Sequence, residues 1–94
     1  MAGFIMAMTI NQETRKDHPD VTHQVDESLK SFKKNGVKIT KLYATLGRFD
    51  YLALFDAPDQ TLAFKIAAEI NALGVVRTET WPLIPYDEFT QLVG

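Results

Sequence analysis

The chain has no cysteine, which excludes disulfides and thiolate chemistry and makes a zinc ribbon or an iron-sulfur site implausible, a composition that fits an intracellular protein. It has no marked excess of charge. Ten basic and twelve acidic residues leave a net charge of -2, and because they are dispersed they offer a polyanion no long-range attraction, so no nucleic-acid partner is expected. It has no long hydrophobic run. The apolar start, Met1 to Ile10, is too short to span a bilayer and has neither a basic leader nor a small polar cleavage region, so it reads as a strand. No period repeats and no low-complexity segment appears. A Gly-rich phosphate loop and a nucleophile elbow are both missing. The expectation is a cytoplasmic protein without a membrane partner.

The 94 residues form one domain, 1–94, large enough to bury about 60 to 65 % of the surface of its unfolded chain. Phe4 to Ile10 reads as a first strand that the polar run Gln12 to Asp17 ends. Pro19 suits a first helical turn and Asp20 its positive end, and Val21, Val25, Leu29 and Phe32 then recur at helical spacing. Lys30, Lys33 and Lys34 complement the negative end before Gly36 releases the chain. Val37 to Leu46 reads as a second strand, with Ile39, Lys41, Tyr43 and Thr45 on one side and Leu42, Ala44 and Leu46 on the other.

Gly47-Arg48 permits a two-residue turn, and Tyr51 to Phe55 is apolar on both parities, as in a central strand covered on both faces. Ala57-Pro58-Asp59 opens a second helix striped by Leu62, Ile66, Ile70 and Leu73, which Gly74 ends. Val75 to Trp81 is a fourth strand that Pro82 and Pro85 stop. A terminal helix of one to two turns from Pro85 is expected to lay Phe89, Leu92 or both against the body. The order β-α-β-β-α-β with a short tail helix predicts an α+β, ferredoxin-like sandwich with strands one and three central.

Two helices cover only one face of such a sheet. Strands one and three are apolar on both parities, Phe4, Met6 and Met8 against Ile5, and Tyr51 and Phe55 against Leu52 and Leu54. An uncovered face of Met, Tyr and Phe exceeds what soluble monomers usually expose. Pairing of open faces into a homodimer or higher homo-oligomer is expected, the alternative being that the tail helix folds across the face.

Tyr43-Ala-Thr-Leu-Gly-Arg-Phe-Asp50, Ala57-Pro-Asp59 and Val76-Arg-Thr-Glu-Thr80 resemble segments of the GYD-domain family. Gly47, Phe49 and Asp50 align with its Gly-Tyr-Asp element if Arg48 is allowed between them, and Phe49 stands where tyrosine is usual. The resemblance implies a ferredoxin-like fold of the dimeric α/β-barrel kind. It brings no activity and no catalytic residues with it.

The candidate ligand-binding residues are Tyr43, Asp50, Arg77, Glu79 and Trp81. Arg77, Glu79 and Trp81 share a face of strand four and, with Tyr43 or Thr45 across the open side, would line a pocket for a small organic molecule; an ion pair between subunits explains the charges equally well. Asp50 offers a ligand or catalytic carboxylate, or it bonds backbone N–H groups beside the turn. His18 and His23 miss the spacing that brings two imidazoles to one metal on a helix. Asp56 and Asp59 lack the further ligands of a calcium loop. No metal or cofactor is implied.

An enzyme of the isomerase or cofactor-free oxygenase type would need an Asp, Glu or Tyr of displaced pKa in the cavity. Phe49, Tyr51 and Phe55 imitate the aromatic display of RNA-recognition domains, but Arg48 occupies that signature's glycine position.

Overall fold

A computed structural model describes residues 2–12 and 20–94, which form β1 (Ala2–Ile10), α1 (Val21–Lys34), β2 (Ile39–Ala44), β3 (Tyr51–Ala57), α2 (Gln60–Ala72), β4 (Val76–Leu83) and α3 (Tyr86–Val93). The strands make one antiparallel sheet in the order β2-β3-β1-β4. This is the expected ferredoxin-like α+β arrangement, with β1 and β3 central. His18, Pro19 and most of the polar run after β1 lie outside the described residues.

Both helices pack on the face that carries Phe4, Met6, Met8 and Ile10 of β1, where they bury Val25, Phe32, Ile66 and Ile70. Phe55 of β3 is at the centre, stacked on Phe4 at 5.5 Å and edge-on to Phe32 at 4.9 Å between centroids. Burying each such side chain contributes about 1.5 to 3 kcal/mol. Local signals start and stop the helices. The Asp59 carboxylate accepts from Leu62 N at 2.9 Å to open α2, and Gly36 and Gly74 take the left-handed φ of 73° and 78° after α1 and α2.

Four expectations are corrected. A bulge between Ile39 and Lys41 reverses the parity of β2, because one extra residue turns every following side chain to the other face. Ile39 pairs with core Phe55, whereas Lys41 and Tyr43 pair with Leu54 and Leu52 on the open face. Gly47-Arg48 is not a two-residue turn: Thr45 N donates to Asp50 O at 2.9 Å, closing a loop of Leu46 to Phe49, and Thr45 Oγ1 donates to Phe49 O at 2.5 Å.

Pro82 does not stop β4, which runs to Leu83. The N–H of Thr78, at the same parity, points off the sheet to Asn71 Oδ1, so the missing N–H of Pro82 falls on the free edge, where proline is tolerated. Finally, α3 buries none of its residues. It neither lays Phe89 or Leu92 on the body nor covers the open face.

Candidate functional site

Cross-strand partners share a face, so the register maps the side of the sheet away from the helices. One row runs Tyr43, Leu52, Ala7, Glu79; the next runs Lys41, Leu54, Ile5, Trp81; a third joins Asp56, Gly3 and Leu83. Thr9 pairs with Arg77 at the opposite end. The open face is therefore apolar along its middle, but its residues are Ile, Leu, Ala and Trp. The Met and Phe side chains of the central strands, together with Tyr51, all belong to the helix-covered face. The same parity removes the aromatic display of an RNA-recognition sheet, since Phe55 is 2 % exposed in the core.

Tyr43, Arg77, Glu79 and Trp81 share the open face as expected, but within one protomer they do not converge. Tyr43 and Glu79 end the same row on opposite edge strands, three strand spacings or about 14 Å apart. Trp81 instead meets Phe49, whose ring centroid is 6.2 Å away. Ala7, on the same face, is fully buried although it faces away from the helices. The Arg48 guanidinium carbon stands 5.7 Å from the Phe49 centroid.

Asp50 holds the end of β1. Its Oδ2 accepts from Ile10 N at 2.8 Å, and its own N–H donates to Met8 O at 2.8 Å.

At the end of the face reached by β4 lies a cleft of about 790 Å³ whose walls include Gly3, Leu54, Asp56, Leu83, Ile84 and Glu88. Gly3 leaves its floor low, for a Cβ there would stand 3.5 Å from Asp56 Oδ1. No sequence pattern joins Asp56 to Glu88, and the two line one cleft only because the end of β3 lies beside the start of α3. Alternation along β3 places Asp56 on the face of Leu52 and Leu54, and that was the one available signal.

Among the described residues two carboxylates titrate below the ordinary range, and neither faces this cleft. Glu69 on α2 is lowered by hydrogen bonds from Ser31 and Asn35, and Glu27 on α1 by its hydrogen bond and charge interaction with Lys30. His23 is exposed on α1 with its Nε2 3.7 Å from Glu27. No helix among the described residues is long and apolar enough to cross a membrane.

The fold and the face together define a ferredoxin-like α+β domain with one sheet surface left open. The family model described as the GYD domain matches residues 4–93, and the chain belongs to that family. No curated protein matches it.

Among solved structures, it is similar to the feast or famine regulatory protein from M. tuberculosis complexed with L-methionine, at 13 % identity and TM-score 0.65, over 90 % of this chain and 51 % of that one. It is also similar to TTHA0845 from Thermus thermophilus, at 17 % identity and TM-score 0.61, over 90 % and 95 %. A further likeness is to prephenate dehydratase from Streptococcus mutans, at 15 % identity and TM-score 0.62, over 84 % and 40 %. The chain thus spans about half the length of the regulatory protein. At these identities the likeness is one of fold.

Proposed function

We propose that the protein is a homodimer, or a higher homo-oligomer built from dimers, in which two open sheet faces pack into a shared α/β barrel and bind a small organic molecule. The observation that carries this reading is the uncovered apolar face. Ile5, Leu52 and Leu54 form its middle, Trp81 and Leu83 are each 38 % exposed and Tyr43 is 50 % exposed, and no helix among the described residues crosses it. Burying such a strip against a second copy is the ordinary way a chain avoids presenting it to water.

Pairing also restores the constellation that one protomer keeps apart. In a closed barrel β4 of one copy abuts β2 of the other, which brings Arg77, Glu79 and Trp81 beside the second copy's Tyr43. A ligand of that cavity would meet aromatic walls, one cation and one carboxylate, a lining suited to a small amphoteric molecule. The M. tuberculosis regulatory protein of similar fold is complexed with L-methionine, which supports the same chemical class. Asp50 serves this site by holding β1 and β3 in register. We place the protein in the cytoplasm on the strength of its cysteine-free sequence, with neither nucleic acid nor a membrane as partner.

Native mass spectrometry of freshly purified protein tests the proposal. The expected spectrum has even-numbered oligomers, part of them carrying a small added mass that collisional activation removes. A lone protomer at micromolar concentration overturns it. A dimer that neither retains nor takes up any of the twenty amino acids, with Trp81 fluorescence as the readout, overturns the ligand class alone.

A further inference from the structure

The helix α3 buries none of its apolar side chains among the described residues. An eight-residue helix does not persist alone in water, yet Tyr86, Phe89, Leu92 and Val93 are between 48 and 77 % exposed. Tyr86, Phe89 and Val93 fall on one side at i, i+3 and i+7, and Asp87 and Glu88 occupy the first turn.

A groove of complementary chemistry lies at the other edge of the sheet, between the end of α1 and the start of β2. It has a volume of about 440 Å³ and is lined by Leu29, Phe32, Val37 and Ile39 with Lys33 and Lys38. Leu42, 48 % exposed and at the parity of the core, continues the apolar strip along β2. Lys30 and Lys34 are matched by Glu27 and Glu69. Lys33, Lys38, Asp87 and Glu88 make no ion pair among the described residues.

The two features belong to opposite edges of one protomer but to the same end of the sheet. Leu83, the last residue of β4, pairs with Gly3, which is itself paired with Asp56; the neighbouring Phe55 pairs with Ile39, the first residue of β2. In a barrel closed by a twofold axis along the strands, α3 leaves β4 directly beside the second copy's groove.

We propose that α3 of each protomer docks into the α1–β2 groove of a second copy of this chain. Phe89 and its apolar neighbours fill the groove, and Asp87 and Glu88 face Lys33 and Lys38. The two arms then clasp the dimer from both sides. The inference rests on the homodimer reading and adds to it a reciprocal second interface, separate from the sheet faces.

Because the chain has no cysteine, an engineered pair reports contact without background. One tagged copy carries Glu88→Cys, the other Lys38→Cys, and a control pairs Glu88→Cys with Lys65→Cys on α2. Mild oxidation is expected to give a disulfide-linked heterodimer from the first pair at several times the control's yield. The double variant D87K/E88K is expected to raise the dimer dissociation constant about tenfold, and K33E/K38E in the same chain to restore it. A dimeric wild type whose two cysteine pairs cross-link equally, or whose charge swap rescues nothing, overturns the docking and leaves the homodimer standing. A monomeric wild type overturns both.

Discussion

Glu69 ties the two helices together by accepting from Ser31 Oγ at 2.6 Å and Asn35 Nδ2 at 2.8 Å, with Lys34 Nζ 3.8 Å from its second oxygen. These hydrogen bonds favour the carboxylate and hold its pKa below the usual 4.5. The folded chain therefore binds this proton less readily than the unfolded one. The resulting stabilisation is fully present above about pH 4.5 and is lost as pH falls through the lowered folded value. E69Q is expected to lower stability at neutral pH and to flatten the acid limb, so that its urea midpoints approach those of the parent chain as pH falls from about 6 to about 3. Parallel limbs for the two proteins would remove Glu69 from the account. Nothing in the sequence pointed to this link, because Ser31, Asn35 and Glu69 look like ordinary helix-surface residues until α1 and α2 lie side by side. Asp59, by contrast, was readable as a cap, since its partner Leu62 N is three residues away.

Among the elements, β4 shows how an edge strand is kept from pairing with strangers. Asn71 at the end of α2 donates to Thr78 Oγ1 at 2.6 Å and to Ala67 O at 2.7 Å, and its Oδ1 accepts from Thr78 N at 3.0 Å. Pro82 removes a second outward donor from the same edge, so an incoming strand finds little to bond. N71A is expected to cost about 1 to 2 kcal/mol in urea unfolding and to speed hydrogen exchange at Thr78 N; unchanged exchange would mean that the clamp is idle. The existence and order of the elements were legible from periodicity, caps and glycines. Register was not. The bulge in β2 falls between Ile39 and Lys41, and alternation read without the partner strand wrongly puts Ile39 on the same side as Lys41 and Tyr43.

For the molecule as a whole, the described residues measure 51 × 28 × 17 Å with a radius of gyration of 14.3 Å, against about 12 Å for a compact chain of this length. The excess comes with an elongated outline, α3 burying none of its residues. If the proposed dimer closes through the open face, L54R is expected to give a monomer in sedimentation while leaving the far-ultraviolet circular dichroism intact, because Leu54 lies in the middle of that face between Ile5 and Lys41. A variant that remains dimeric would place the interface elsewhere.

The amino-acid order by itself determined the α+β class, the positions of both packed helices and most of the core, because those follow from side-chain spacing and from caps that act within a few residues. It also marked the set Tyr43, Arg77, Glu79 and Trp81 as residues of one face. Only the tertiary structure decided that this set is split between opposite edges, that Phe49 meets Trp81, and that α3 buries none of its residues. Each of these depends on strand register and on contacts between residues distant in sequence, and a local pattern encodes neither.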